Sequence, residues 1–351
     1  MKRREVQAEL IDKIKKNNYE KPDFIVEDLE TIDFKEKNKS LIIDYSYQRN
    51  FIQNQTSASK YVESVFLGLI IPEIQVYENK EQGYREIIDG QQRVLSLLKF
   101  LRNEYRLRGL TYLKVLNGKK FKDLPEELQT IYRQFCINMR VAKNPTQDYK
   151  YLLFERLNIG SKPLNQQEIR NCVFKDHLIL QMTRKISNND SIVELIENVG
   201  RIRNERFLRD EFIVGVIAAR FTDLSMTHTL LKDRINYYLR RTDNISKEET
   251  EQIFTELFDI VELLNSKYDL DSLLAEFLVR KSILETIILA MWEINDIEKL
   301  SENVDALKIA ILDVVSSDEF KETLETGSSQ ANKLVYKRVQ LMLTEMKKII
   351  G

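Results

Sequence analysis

Apolar residues follow two different spacings along the chain. In the second half they recur at helical intervals. Across Ser246–Leu264 the positions Ile253, Leu257, Val261 and Leu264 fall three or four apart, which lines one face of an α-helix. Ser246 and Glu249 predict a capping box at its start. Similar amphipathic stretches cover roughly 209–221, 271–292 and 330–350. All five prolines lie at or before Pro163, which leaves 188 residues without one. Proline breaks helix interiors and glycine weakens them, so this run reads as a helical bundle.

The first half alternates instead. Residues 41–45, Leu-Ile-Ile-Asp-Tyr, predict a short strand running into Tyr47-Gln48-Arg49. A helix is expected from Thr56 or Ser57, with Tyr61, Val65, Phe66 and Leu69 on one face, stopping before Pro72. Glu73–Tyr77 alternates as a strand, a polar turn at Gly83 follows, and Arg85–Ile88 completes a β-hairpin. A helix carrying Val94, Leu95, Leu97, Leu98 and Leu101 begins directly afterwards. The expected organisation is a mixed domain at 25–150 and a helical domain at 151–351, packed against each other.

Composition narrows the class. Hydrophobic residues make up 43% and charged residues 31%, as in a globular protein with a well-solvated surface. No stretch approaches the ~18–20 uncharged apolar residues of a membrane span; the most apolar late run, 282–292, carries Glu285. The start, Met1-Lys-Arg-Arg-Glu, leads into mixed charge rather than an apolar leader, so the expected compartment is cytoplasmic. Two cysteines, Cys136 and Cys172, cannot form a disulfide framework or a four-thiolate zinc site, and their apolar flanks predict buried thiols.

Charge is nearly balanced at −1 but unevenly spread. Between Lys99 and Lys150 twelve Lys/Arg face five Asp/Glu, and between Arg201 and Arg241 nine face five. Such segments dock phosphate backbones or form ordinary solvated faces. Lys119 and Lys120 are the DNA-contact candidates of the first segment. Tyr105, Tyr112 and Tyr132 interleave with its basic residues, where core packing outweighs stacking on bases.

One segment carries candidate chemistry: Ile87-Ile88-Asp89-Gly90-Gln91-Gln92-Arg93. A strand ends, a glycine permits left-handed backbone, and a helix begins. The first N–H groups of that helix lack intrahelical partners and the dipole favours negative charge there. Arg93 can fork onto phosphate oxygens, and Gln91 and Gln92 add amide donors and acceptors. Asp89 repels phosphate unless it holds a metal, orients water or caps the helix. Two polar stretches accompany the loop. Tyr47-Gln48-Arg49 is one. The other runs from Phe154 through Asn158 and Gly160 to Gln167-Glu168, with Asn165 or a neighbour capping the next helix.

The ordered set Tyr47-Gln48-Arg49, Phe66-Leu-Gly-Leu-Ile-Ile-Pro72, Ile88-Asp-Gly-Gln-Gln-Arg93 and Phe154…Asn158…Gly160…Leu164…Gln167-Glu168 resembles the GmrSD-type N-terminal domain. That family is a branch of the ParB/sulfiredoxin-like superfamily, and the resemblance spans about residues 25–220. It implies an α+β domain of ParB/sulfiredoxin-like type followed by a mostly α-helical C-terminal domain. It also implies a nucleotide-phosphate site at the glycine loop, with NTP hydrolysis coupled to restriction of foreign, often modified, DNA. By position, Asp89, Gly90, Gln91, Gln92 and Arg93 form its core, with Gln48, Arg49 and Asn158 as further nucleotide contacts. Arg206, Arg209 and Glu211 resemble the family's basic segment, which marks Arg206 and Arg209 as DNA contacts.

The chain departs from full-length restriction enzymes of this type in its histidines. An HNH nuclease needs histidines as base and metal ligands, and only His177 and His228 are present, neither with a partner nearby in sequence. P-loop, dinucleotide-fingerprint and nucleophile-elbow motifs are absent too. The expected cofactor is an NTP with Mg²⁺ held by Asp89, while Arg49 neutralises developing charge. Expected partners are the NTP, DNA and a nuclease acting in trans; homo-oligomerisation stays open and no membrane is involved. The rivals are a non-catalytic DNA-binding or regulatory module and a ParB-like nuclease that nicks DNA at the loop.

Overall fold

The computed structural model describes residues 21–43, 55–143, 146–157, 164–225, 230–325 and 331–351. Tyr47, Gln48, Arg49, Asn158, Gly160 and His228 lie outside them. The chain divides into two units at Pro163 and Leu164.

Among its described residues the first unit holds five strands: β1 (Asp23–Asp28), β2 (Leu41–Ile42), β3 (Ile74–Asn79), β4 (Tyr84–Asp89) and β5 (Cys136–Lys143). Their order across the sheet is β1-β5-β3-β4-β2. β3 and β4 form the expected antiparallel hairpin, β5 lies parallel to β3, β2 lies parallel to β4, and β1 closes the far edge antiparallel to β5. Between them run α1 (Leu29–Lys37), α2 (Gln55–Phe66), α3 (Gln91–Leu101) and α4 (Glu126–Arg133), with α5 (Gln147–Leu157) following β5. Alternation puts Ile74, Val76, Ile87, Ile137, Met139 and Val141 on one sheet face, packed against Val62 and Val65 of α2, Val94–Phe100 of α3 and Tyr132 of α4. The class is α+β, as expected.

β1 and β5 join the strands expected from the sequence, and Cys136, expected to be buried, is exposed. It occupies the first position of β5, whose even-numbered side chains Asn138 and Arg140 also face outward. Cys172 is buried.

Residues 102–125 leave α3 and return to α4 as a long excursion held by three α2 side chains, and Gln55 Nε2 donates to the Arg106 carbonyl at 2.5 Å. Ser59 Oγ accepts from the Arg108 N–H at 2.9 Å, and Glu63 Oε1 accepts from the N–H groups of Tyr112 and Leu113 at 2.8 Å each. Burial pushes the Glu63 carboxyl up, but the surrounding backbone donors outweigh it and leave the group below its ordinary value. A depressed carboxyl contributes stability above its unfolded value and loses it as pH falls through the folded value. The excursion should therefore loosen on acidification below the ordinary carboxylate range. Glu63→Ala should loosen it at neutral pH, costing about 1–3 kcal/mol for the stranded buried donors. Limited proteolysis at Arg108 and Lys114 against pH checks this: cleavage that is unchanged by Glu63→Ala and by acid would refute it.

The described residues of the second unit form helices joined by turns, with no strand among them. In order it comprises α6 (Gln166–Val173), α7 (Leu178–Ile186), α8 (Asp190–Val193), α9 (Leu208–Arg220), α10 (Leu231–Arg241), α11 (Lys247–Leu263), α12 (Leu270–Leu273), α13 (Arg280–Ile294), α14 (Ile297–Glu302), α15 (Val304–Ser316), α16 (Asp318–Glu325) and α17 (Asn332–Ile350). The capping box of Ser246 with Glu249 starts α11, and Asn165 with Glu168 makes another at α6. The amphipathic stretch expected over 271–292 is broken: α12 ends at Leu273, and α13 begins only at Arg280. His177 caps α7, its Nδ1 accepting from the Ile179 N–H at 3.2 Å. Among the described residues no helix is long and apolar enough to cross a membrane.

Candidate functional site

The hairpin delivers β4 to the start of α3 with no intervening loop. Asp89 is the last strand residue, Gly90 the helix cap and Gln91 the first helical residue. Gly90 has φ +91°, and no side chain caps the helix. A Cβ there would stand 2.4 Å from Ile74 Cδ1, a side chain buried in the core. Glycine is thus required for the left-handed backbone, and an added Cβ would also force the Ile74 side chain to shift. Gly90→Ala should cost about 1–3 kcal/mol through strain and displaced packing. Urea unfolding of the full chain measures this, and a loss under about 0.5 kcal/mol would refute the steric account.

The four polar side chains of the loop have separate surroundings. Gln91 is buried, and its Nε2 donates to the Ile87 carbonyl at 2.7 Å, tying the helix to the strand that feeds it. Gln92 is exposed. Arg93 pairs with Asp89 through a short contact between Nη2 and Oδ2, and its Nη1 donates to the Pro72 carbonyl at 3.0 Å. The Asp89 side chain is 46% exposed and that of Arg93 only 14%. The carboxylate is therefore the accessible half of the pair, with the guanidinium held behind it.

This arrangement has a physical consequence. A cation in the first turn of a helix opposes the helix dipole, and here the Asp89 carboxylate compensates it. An anion on the open N–H groups of α3 would do the same and compete for Arg93. Asp89 would then be free to hold a cation. Among the described residues no group of three or more His, Cys, Asp or Glu is placed to hold a metal. A lone exposed carboxylate fits Mg²⁺ only in the manner common for nucleotide sites, with phosphates and waters supplying the remaining ligands.

The segment before β3 contributes more than its sequence suggested, since Pro72 read only as a helix stop. Its carbonyl anchors Arg93, and the next residue, Glu73, accepts from Gln75 Nε2 at 2.8 Å and pairs with Arg140 Nε at 3.0 Å. Strand register aligns Asp89, Gln75, Arg140 and Phe24 in one row across β4, β3, β5 and β1. The Arg140 guanidinium lies 4.6 Å from the centroid of the exposed Phe24 ring. The alternation of Glu73–Tyr77 could have flagged Gln75; nothing local could have flagged Arg140, which arrives through a long-range strand pairing.

The candidate DNA contacts fall into two groups. Lys119 is exposed and Lys120 half-buried, both within the 102–125 excursion, where Tyr112 is 80% exposed. Arg206 and Arg209 belong to internal pairs of the helical unit. Arg206 holds the buried Glu168 through Nε at 3.1 Å and through Nη2. Arg209 is buried and donates to Glu197 at 2.9 Å and Asn188 at 2.8 Å. Gln48, Arg49 and Asn158 lie outside the described residues, so their distance from the loop is not part of the geometry.

A five-stranded α+β unit with a strand–glycine–helix loop defines the structural class. Residues 26–175 match the family model described as GmrSD restriction endonuclease, N-terminal domain, the family that the sequence motifs resemble. The match suggests a protein of a restriction or defence system. No curated protein matches the chain, and no solved structure does.

Proposed function

We propose that the Asp89–Arg93 loop binds the phosphates of a nucleoside triphosphate with Mg²⁺ and hydrolyses the terminal one, within a cytoplasmic system that restricts foreign DNA. The observation that carries this reading is the uncapped N-terminus of α3 behind left-handed Gly90, with Arg93 held in reserve by an exposed Asp89. In this scheme the α3 N–H groups and Arg93 bind phosphate oxygens, and Gln91 keeps the loop in register with β4. Asp89 holds Mg²⁺, which supplies charge neutralisation, and Gln92 orients water from the exposed side. Gln48, Arg49 and Asn158 belong to the proposal as further nucleotide contacts on the family resemblance alone.

DNA is the proposed partner of the first unit. Arg108, Lys114 and Lys119 are exposed along the 102–125 excursion beside Tyr112, a pairing of cations with an exposed ring that suits strand binding. Cleavage of the DNA is assigned to a nuclease acting in trans.

The test is phosphate release from each NTP by the full chain, with Mg²⁺ or EDTA and with or without DNA. Turnover that needs Mg²⁺ supports the reading. Absence of both turnover and nucleotide binding, with DNA affinity intact, would leave a DNA-binding module. Nicking without NTP would point to a nuclease at the loop.

A further inference from the structure

The helical unit contains a cleft of about 590 Å³ that the reading above does not use. It opens between the end of α9, the last turns of α10 and the first half of α11, and its size lies within the ~300–1,000 Å³ typical of ligand sites. Phe221, Tyr237, Tyr238, Arg241, Gln252 and Glu256 supply its chemistry.

Aromatic surface comes first. The rings of Phe221 and Tyr238 lie 20° from parallel with centroids 6.2 Å apart, while Phe221 and Tyr237 are each 46% exposed. Two large rings left half in water beside one cavity offer a stacking surface to a flat guest.

An unanswered hydroxyl comes second. Tyr238 is 4% exposed, and its buried hydroxyl has no hydrogen-bond partner among the described residues. Buried hydroxyls are nearly always satisfied, so this one leaves an unmet polar group on a residue that lines the cleft.

Charge comes third. Arg241 donates to the Tyr237 hydroxyl at 2.8 Å and sits 5.6 Å from that ring's centroid. Glu256 accepts from Gln252 Nε2 at 3.0 Å and from the indole N–H of Trp292 at 2.9 Å, and its carboxylate retains further lone pairs. With Glu249 also lining the cleft, carboxylates outnumber the one guanidinium. That balance disfavours a phosphate inside and favours a neutral guest bearing N–H donors.

We propose that this cleft binds an amino-bearing nucleobase, stacked on its aromatic wall, with its exocyclic amine donating to Glu256 and a ring acceptor taking the Tyr238 hydroxyl. The shared chemistry is the base. It can arrive as a free nucleoside or as an unstacked base of a single strand. The inference is independent of phosphate binding at Gly90, because it needs no phosphate.

Trp292 is the sole tryptophan, stands edge-on to Phe221 at 5.8 Å and donates to Glu256, so its fluorescence reports occupancy. The full chain is titrated with adenosine, cytidine, uridine and inorganic phosphate. Adenosine or cytidine should give a saturable change, uridine should bind about tenfold more weakly for want of the amine, and phosphate should give no change. Tyr238→Phe should leave the melting temperature equal or higher and weaken adenosine about tenfold, since it removes only the hydroxyl. A ten-nucleotide strand and its abasic counterpart separate the sources. Tighter binding of the intact strand than of adenosine identifies the strand; parity identifies the nucleoside. Equal responses to adenosine and uridine, no response up to about 10 mM, or unchanged adenosine affinity in Tyr238→Phe would each overturn the proposal.

Discussion

Glu285→Ala is expected to destabilise the helical unit by about 3–5 kcal/mol, the usual consequence of leaving a buried charge without its counter-ion. Arg234 and Arg338 are both fully buried, and Glu285 is the carboxylate they share. Arg234 donates to it at 3.0 Å, while the Arg338 guanidinium lies 3.8 Å away. Burial pushes both guanidinium groups below their ordinary range; Glu285 opposes this at each, and the neighbouring Arg234 charge adds to it at Arg338. Arginine does not give up its proton in a protein, so the strain is borne as folding free energy. Glu285 lies on α13 and Arg338 on α17, which pack along their lengths, and Arg234 reaches in from α10.

The mechanism can be separated from simple cavity formation. Glu285→Gln keeps the shape and one hydrogen bond yet removes the charge, so it should recover little of the loss. Replacing the whole group, with Arg234→Met, Arg338→Met and Glu285→Leu together, should return stability to near the wild-type value. Guanidinium unfolding followed by Trp292 fluorescence is the measurement. A Glu285→Gln variant as stable as wild type would show that charge is not what the glutamate supplies.

The same unit shows what could be seen in the sequence and what could not. A long run without proline and the three-and-four spacing around Ser246–Leu264 report local geometry, and the α11 boundaries and its capping box follow from them directly. The buried Arg234–Glu285–Arg338 cluster left no local mark. Its residues lie far apart in the chain, and a charged residue on an amphipathic helix reads as solvent-facing until the partner helix is known. The sheet divides similarly. The β3–β4 hairpin is contiguous and was legible; β5 pairs with strands far from it in sequence. It alternates from Cys136 to Val141, yet alternation alone does not name its partners, β1 and β3, which the fold brings beside it. At the loop, Gly90 and the strand-to-helix transition were legible from a few adjacent residues. The pairing of Arg93 with Asp89 and with the Pro72 carbonyl was not, because it depends on side-chain direction and on a neighbouring segment.

That pairing supports the second large effect, a fall in NTP turnover of about 10²–10³-fold in Arg93→Ala and in Asp89→Ala, the range found when a single preorganised charge-stabilising group is removed. Stability should hardly change. An ion pair four residues apart with one partner 46% exposed contributes only about 0.3–0.5 kcal/mol. The two variants should also differ from each other. Arg93→Ala removes the proposed phosphate contact, so nucleotide affinity should fall together with turnover. Asp89→Ala releases Arg93 toward an incoming anion, so nucleotide should bind as well or better without Mg²⁺ while turnover collapses. Asp89→Asn should fall between them, since the amide keeps a hydrogen bond to Arg93 without the charge. Equilibrium binding in EDTA beside steady-state kinetics in Mg²⁺ reads both quantities on the same preparations. If both alanine variants lost activity only in proportion to their loss of folded protein, the pair would be a staple between β4 and α3, and the phosphate-handling role of the loop would have to be abandoned.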